Sequence, residues 1–192
     1  MLVGIVLAAG RSSRLGSPKA LAVLDGETFV ARAITALRDG GCDQICVVVA
    51  PPHAALIEAE LSGVAVLHNP NPERGMLSSL QVGLAFAARE PELEAVLFSL
   101  LDHPRVRAQT VQELVASHRA APRRALRPVF GGRGGHPVLL SLDAIRDLLA
   151  APDTASPRDV LGALGDLPVD DPGVVDDVDV PADLAALESE RR

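Results

Sequence analysis

Short apolar runs alternate with longer amphipathic stretches along the first 120 residues of the chain. The apolar runs cover residues 3–8, 45–49, 64–67 and 95–100, and they are rich in β-branched side chains. A continuous apolar run of this length is typical of a strand that is buried on both faces of a parallel sheet. The pattern therefore predicts four neighbouring parallel strands.

Helical patterns separate these strands and cover residues 28–37, 54–61, 77–89 and 110–119. Strand and helix alternate with connections short enough for right-handed crossovers. We therefore predict an α/β fold with a doubly wound, mostly parallel sheet of the Rossmann-like, nucleotide-diphospho-sugar transferase type. Ligands of such sheets bind at the carboxyl ends of the strands.

The rhythm changes after residue 120. Two further strands are predicted at 126–130 and 136–140, on either side of the glycine-rich segment 131–135, and short helices are predicted near Leu142 and Arg158. We expect this C-terminal half to make a small mixed or antiparallel addition to the sheet.

The length of the chain and its last segment favour one folding unit. A closing helix is predicted from Pro181, because proline is favoured at the first position of a helix. The 192 residues contain no internal repeat and no linker-like stretch, and this length is ordinary for one domain. Residues 1–192 are therefore predicted to form a single domain.

Charge and aromatic content limit the classes of partner. The net charge is −7 and aromatic residues make up 2% of the chain, with no Trp or Tyr. A nucleic-acid surface needs a basic footprint and gains from aromatic stacking platforms. The one basic run, residues 119–133, is interpreted as a solvated helix end and loop. We expect no nucleic-acid partner.

The first ten residues and the two cysteines indicate the cellular compartment in which the protein is expected. Residues 1–10 are apolar but lack a basic n-region, so they are interpreted as a core strand and no membrane contact is expected. Cys42 and Cys46 are too few for a four-ligand zinc site or a disulfide scaffold. We predict a reduced, cytoplasmic interior in which both thiols lie buried on one side of a strand through Gln44, Cys46 and Val48.

The loop after the first strand has the chemistry of a phosphate cradle. Residues 7–19 read LAAGRSSRLGSPK. Gly10 lets backbone N–H groups approach an anion, and Arg14 and Lys19 can neutralise phosphate charge. The spacing fits neither a Walker loop nor the dinucleotide G-x-G-x-x-G pattern. A flexible cationic surface loop is the alternative interpretation.

This loop resembles the L-A-A-G-x-S-x-R-M-G-x-x-K signature of the nucleotidyltransferase superfamily with a GT-A-like fold. Within it, the similarity is to the molybdenum cofactor cytidylyltransferases and guanylyltransferases. Four further segments match the family in order, so the resemblance covers nearly the whole chain. They are NPNPERGMLSSL at 69–80, LDHP at 101–104, GHPV at 135–138 and DVDVPADL at 177–184.

The resemblance implies roles for individual residues. It implies catalytic roles for Arg14, Lys19 and Asp102. The residues implied to bind the nucleotide are Leu7, Ala8, Ala9, Gly10, Arg11, Ser12, Arg14, Lys19, Asn69 and Ser79. The residues implied to bind the second substrate are Gly75, Met76, Ser78, His103 and His136. His136 could equally be a structural hydrogen-bonding residue against the glycine-rich turn.

Two carboxylates are candidate metal ligands. Asp102 follows the mostly apolar segment 96–101, so it emerges at the ligand-binding edge of the predicted sheet. Mg²⁺ is commonly held by one or two carboxylates together with phosphate oxygens and water, and the resemblance implies that Asp102 and Asp179 hold it. A capping role before Pro104 or before the helix at Pro181 would also explain each aspartate.

The reaction that the resemblance implies is attack by a substrate phosphate on the α-phosphorus of a nucleoside triphosphate, with release of pyrophosphate. The acceptor would be a molybdopterin-type cofactor. Ala8 and Ala9 before Gly10 resemble the members that use CTP, so CTP is expected before GTP. Three points stay open: a sugar- or alditol-phosphate acceptor, a non-catalytic role in binding or maturing the molybdenum cofactor, and a molybdenum enzyme as protein partner.

Overall fold

The structure is a computed structural model that describes residues 1–10, 18–178 and 182–183. Four of the predicted site residues lie outside these ranges: Arg11, Ser12, Arg14 and Asp179. Most of the helix predicted from Pro181 also lies outside them.

The described residues contain ten strands and six α-helices. The strands are β1 Leu2–Leu7, β2 Val23–Leu24, β3 Glu27–Thr28, β4 Gln44–Val49, β5 Ala65–His68, β6 Ala95–Leu100, β7 Ala125–Phe130, β8 Arg133–Gly134, β9 Val138–Ser141 and β10 Gly165–Pro168. The helices are α1 Phe29–Asp39, α2 Ala54–Ala59, α3 Met76–Ala87, α4 Ala108–Ala120, α5 Leu142–Ala150 and α6 Pro157–Leu161. Short 3₁₀ turns occur at Lys19–Leu21, Pro72–Arg74 and Pro172–Val174.

The main sheet has the strand order β10-β7-β9-β6-β1-β4-β5, with β8 paired to β7. Strands β5, β4, β1 and β6 are mutually parallel. Strand β9 runs antiparallel to both β6 and β7, and β10 is parallel to β7. The predicted doubly wound, mostly parallel sheet with a mixed addition is therefore confirmed.

Helices cover both faces of the sheet. Side chains from α1 and α4 pack with Val6 and Leu97 on one face, and side chains from α3 and α5 pack with Ile5 and Phe98 on the other. Helix α3 approaches β1 closely at Gly83, where an added Cβ would lie 2.7 Å from Cγ2 of Ile5. The sheet is thus fully covered, as its continuous apolar strands require.

The prediction for the cysteines is wrong in one respect. Both thiols are free and buried, and burial raises the pKa of each to about 12. Cys42 packs with the α1 face of the sheet, whereas Cys46 packs with the opposite face. The reason is that Cys42 precedes β4, which begins at Gln44, so the two-residue alternation of a strand does not extend to it.

None of the helices in the described ranges combines the length and apolar character that a membrane span requires.

Candidate functional site

The candidate site lies where the sheet changes its winding direction. From β1 the chain passes through α1 to β4 on one side, and from β5 it passes through α3 to β6 on the other side. Leu7 at the end of β1 pairs with Leu100 at the end of β6. The first loop and the segment that begins at Leu101 therefore leave the sheet side by side, at the edge where α/β proteins bind ligands.

The first loop begins in a fixed position. Ala8 is buried, and its N–H donates to the carbonyl of Val48 over 2.8 Å, which continues the sheet for one residue beyond β1. Gly10 is exposed at the end of the described part of this loop. Lys19 is half-buried in the 3₁₀ turn through which the chain returns towards α1. The sequence contains no other lysine.

A polar cluster joins the end of β5 to the start of α3. The side-chain amide of Asn69 donates to the hydroxyls of Ser78 and Ser79 over 2.8 and 2.9 Å, and all three residues are buried. The Ser78 hydroxyl in turn donates to the carbonyl of Gly75 over 2.8 Å. These contacts fix the turn in front of α3. The side-chain amide of Asn69 thus binds both of the other predicted ligand-binding residues of this cluster, Ser78 and Ser79.

The turn in front of α3 leaves the helix open at its beginning. Gly75 has a φ of +88°, which is accessible to glycine at no steric cost, and as the N-cap residue of α3 it has no side chain that could cap the first turn. Met76 is 47% exposed. The predicted second-substrate residues Gly75 and Met76 therefore lie on the surface, above the buried Asn69 cluster.

A second cluster lies at the end of β6. His103 Nε2 lies 3.5 Å from Oδ1 of Asp102, and His103 Nδ1 lies 3.2 Å from the carbonyl oxygen of Asp176. The rings of His103 and His136 stack with centroids 5.3 Å apart and an interplanar angle of 22°. The structure therefore brings Asp102, His103 and His136 together.

Several contacts fix the position of His136. Its ring meets Phe98 edge-on at 5.4 Å, and its backbone N–H donates to the carbonyl of Val174 over 3.2 Å. Burial, with a smaller contribution from His103, lowers the pKa of His136 to about 4, against the opposing effect of the Asp102 charge. These contacts agree with the structural alternative for His136, and the ring still borders the Asp102 cluster.

The two clusters are separated by the width of three strand spacings. The Asn69 cluster follows β5 and the Asp102 cluster follows β6, with β4 and β1 between them. At about 4.8 Å per spacing the distance is roughly 14 Å along the edge. The first loop emerges from β1, between the two clusters. One extended ligand can therefore contact the first loop and both clusters.

The segment 171–178 covers the end of β6, and sequence reasoning missed the residue that anchors it. The buried carboxylate of Asp171 accepts hydrogen bonds from the N–H of Arg107, the hydroxyl of Thr110 and the N–H of Gly173, over 2.9, 2.7 and 3.0 Å. The available signal was Asp171 followed by Pro172 and Gly173, which is typical of a turn closed by an aspartate side chain.

The same segment reaches Asp102 directly. The N–H of Val178 donates to the backbone carbonyl of Asp102 over 3.0 Å. Val178 is the residue before Asp179, so the backbone leading to the second predicted carboxylate passes beside the first. Asp179 itself lies outside the described residues.

The basic run 119–133 is largely compensated by carboxylates. Arg119, Arg124 and Arg127 pair with Glu94, Asp147 and Asp166 over 2.7, 2.6 and 2.7 Å. Arg133 donates to the carbonyl of Val175. Four of its arginines therefore have partners within the protein.

We expect Gly135→Ala to destabilise the protein by about 3 kcal/mol, because overpacking against backbone cannot be relieved by a side-chain rotation. An added Cβ would lie 1.9 Å from the carbonyl oxygen of Val174, in the segment that covers the site. Gly134→Ala is the matched control, since there the Cβ meets the end of the flexible Arg127 side chain. Urea unfolding measures both variants, and equal losses of stability would contradict this account.

The low pKa of His136 predicts a pH dependence of stability. The unfolded chain binds a proton at His136 below about pH 6.5, whereas the folded protein binds it only near pH 4. The stabilisation is therefore complete above about pH 6.5 and is lost as the pH falls towards 4, by about 3 kcal/mol. Urea unfolding in chelator-containing buffer should show this loss in the unsubstituted protein and a flatter profile in His136→Gln. Parallel profiles would show that His136 titrates normally.

The fold and the site together define an α/β protein whose candidate site lies at the switch point of a mostly parallel sheet. The chain belongs to the family of the MobA-like NTP transferase domain, whose model matches residues 4–168. It is thus a nucleotidyltransferase of the MobA-like family.

Two curated relatives and one solved structure illustrate the range of similar proteins. The nicotine blue oxidoreductase of Paenarthrobacter nicotinovorans is 32% identical over 148 residues, which cover 72% of this chain and 70% of the relative. The molybdenum cofactor cytidylyltransferase of Escherichia coli (strain K12) is 25% identical over 186 residues, which cover 94% and 92%. The crystal structure of Rv0371c from Mycobacterium tuberculosis H37Rv superimposes with a TM-score of 0.81 at 26% identity and covers 98% of both chains.

Proposed function

We propose that this protein transfers a nucleoside monophosphate from CTP to the phosphate of a molybdopterin-type cofactor and releases pyrophosphate. GTP is the second candidate donor. The observation that carries the proposal is the juxtaposition of the first loop and Asp102 at paired strand ends, which follows from the register of Leu7 with Leu100. This arrangement would allow one triphosphate to contact loop N–H groups and a cation held by the Asp102 carboxylate at once.

The reaction needs no covalent protein nucleophile, because the phosphate of the acceptor is itself the nucleophile. The protein aligns this phosphate with the α-phosphorus and stabilises the charge that moves to the leaving pyrophosphate. Arg14 and Lys19 are the cations proposed to do so, together with the N–H groups that follow Ala8. The turn between Asn69 and α3 would hold the organic part of the ligands.

Mg²⁺ is the proposed cofactor, and Asp102 fits it on one structural observation. The Oδ1 atom of Asp102 is buried, and no hydrogen bond reaches it from the described residues. A buried carboxylate oxygen without a donor suits a hard cation. Asp102, with Asp179, would hold the ion. When bound, Mg²⁺ would neutralise charge on the triphosphate.

The preference for CTP rests on the residues that begin the first loop. Ala8 and Ala9 precede Gly10, as in the CTP-using members that the sequence resembles. The similarity to the Escherichia coli protein named a molybdenum cofactor cytidylyltransferase supports the same donor.

A molybdenum enzyme that receives the product is the proposed protein partner.

The donor is tested by calorimetric titration with CTP, GTP, ATP and UTP in the presence of Mg²⁺. We expect CTP to bind most tightly, with a modest margin over GTP. If none of the four binds better than inorganic triphosphate, the site does not recognise a nucleoside and the proposal is wrong.

The acceptor is tested by pyrophosphate release from CTP with molybdopterin, a sugar phosphate and an alditol phosphate in parallel. We expect pyrophosphate release only in the reaction whose acceptor is molybdopterin. Release with a sugar or alditol phosphate instead would reassign the acceptor, and binding without any turnover would support a non-catalytic role.

A further inference from the structure

A ring nitrogen of His103 faces a buried carboxylate oxygen of Asp102, the proposed metal ligand. His103 Nδ1 lies 3.2 Å from the carbonyl oxygen of Asp176. A carbonyl oxygen only accepts, so Nδ1 carries the proton of this hydrogen bond. In a neutral imidazole the other nitrogen is then an unprotonated acceptor. That nitrogen, Nε2, lies 3.5 Å from Oδ1 of Asp102.

The distance between these two atoms is long for a charge-assisted hydrogen bond. An imidazolium N–H that donates to a carboxylate brings the heavy atoms to about 2.7–2.9 Å. Here the atoms stay 3.5 Å apart, and Oδ1 of Asp102 is buried without a hydrogen bond from any described residue. In the neutral form of His103, a nitrogen lone pair and a buried carboxylate oxygen therefore converge at this point.

The imidazole of His103 is held in this orientation from two sides. Its side chain is 11% exposed, and its ring stacks on His136 with centroids 5.3 Å apart. Its Nδ1–H is anchored on the Asp176 carbonyl. In histidines that bind metals, the N–H of the second ring nitrogen commonly donates to a carbonyl or carboxylate, which fixes the tautomer and aims the free nitrogen at the ion. His103 has the anchored Nδ1–H of this arrangement, and its Nε2 faces Asp102.

We propose that His103 Nε2 is a nitrogen ligand of the divalent cation that Asp102 holds. The proposal rests on the proposed function, which places a cation at Asp102. No group of three or more metal-binding side chains is assembled within residues 1–10, 18–178 and 182–183. The remaining ligands would therefore be triphosphate oxygens and water.

A nitrogen ligand changes which cation the site prefers. Oxygen donors suit Mg²⁺, whereas imidazole suits the later first-row metals and follows the order Mn²⁺, Fe²⁺, Co²⁺, Ni²⁺ of rising affinity. The site should therefore bind Co²⁺ more tightly than a site with oxygen ligands alone. His103 would act as a specificity-determining residue for the metal.

Pulsed EPR of bound Mn²⁺ tests the ligand without measuring catalysis. The intact protein is loaded with Mn²⁺ and a non-hydrolysable CTP analogue, and the spectrum is searched for coupling to ¹⁴N. We expect the coupling in the unsubstituted protein and its loss in both His103→Gln and His103→Met. Two variants are used so that the result does not depend on the folding of one.

His68→Gln is the matched control. His68 Nε2 lies 3.2 Å from Oε2 of Glu58 on the surface, so it forms an imidazole–carboxylate pair outside the site. The coupling should persist in this variant. Absence of coupling in the unsubstituted protein, or its persistence in the His103 variants, would overturn the proposal.

Titration with Co²⁺ and Mg²⁺ gives a second readout. Removal of His103 should weaken Co²⁺ binding by roughly tenfold or more, the loss that even outer-sphere substitutions produce, and should change Mg²⁺ binding much less. Equal losses for the two cations would overturn the proposal. If neither cation nor the CTP analogue binds the unsubstituted protein, the proposed function fails as well. Binding of Mn²⁺ with the analogue but without ¹⁴N coupling overturns only the role of His103.

Discussion

Asp102→Asn is expected to abolish nucleotidyl transfer while leaving the fold intact. A neutral amide replaces a carboxylate on a hard cation, so we expect kcat to fall by about a thousandfold or more, equivalent to roughly 4 kcal/mol of lost charge stabilisation. The backbone carbonyl of Asp102 still accepts from Val178, so the cover over the site stays anchored. Pyrophosphate release at several Mg²⁺ concentrations measures the effect.

Two further variants make this result specific. Asp170→Asn removes an exposed carboxylate from the neighbouring segment and should leave turnover unchanged. Asp179→Asn should impair transfer much as Asp102→Asn does if Asp179 is a ligand, whereas a capping Asp179 tolerates Asn, which caps equally well. Normal turnover in Asp102→Asn would remove Asp102 from the metal site.

Lys19→Ala is expected to lower kcat by about a hundredfold to a thousandfold, the range observed when one group that stabilises transition-state charge is lost. Lys19 is half-buried in a short 3₁₀ turn, so thermal melting should change little. Single-turnover measurement at saturating CTP separates the chemical step from binding. Arg14→Ala should behave in the same way.

The control variants for Lys19 separate charge from geometry. Lys19→Arg keeps the charge but replaces a compact ammonium by a planar guanidinium, so part of the rate should return. Arg38→Ala removes an exposed cation at the end of α1 and should have no effect. Wild-type turnover in Lys19→Ala would exclude Lys19 from the catalytic set.

The fold could be predicted because its central strands are continuously apolar. β1, β4 and β6 are buried almost throughout, and each produces a run of apolar residues that no surface element would contain. The hairpin of β2 and β3 was not predicted, since each strand has only two residues. β10 contains Gly165 and Pro168, two residues that ordinarily argue against a strand.

The candidate site could be predicted only in part, for a comparable reason. The position of Asp102 in the site could be predicted, because this residue comes shortly after an apolar strand. The contact of His103 with Asp176 joins residues 73 positions apart, and that of Asp171 with Thr110 joins residues 61 apart. Such pairings depend on how distant segments dock, and no local periodicity encodes them. The sequence likewise suggested Ser78 and Ser79 as ligands of a substrate without indicating that Asn69 binds both.

The most direct test of the central claim follows the α-phosphorus of CTP. CTP labelled at the α-phosphorus is incubated with the protein, Mg²⁺ and molybdopterin, and a parallel reaction uses CTP labelled at the γ-phosphorus. We predict that the α-label appears in the cofactor and the γ-label in pyrophosphate, in equal amounts. An α-label that remains entirely in CTP, or a γ-label that is transferred to the cofactor, would contradict nucleotidyl transfer.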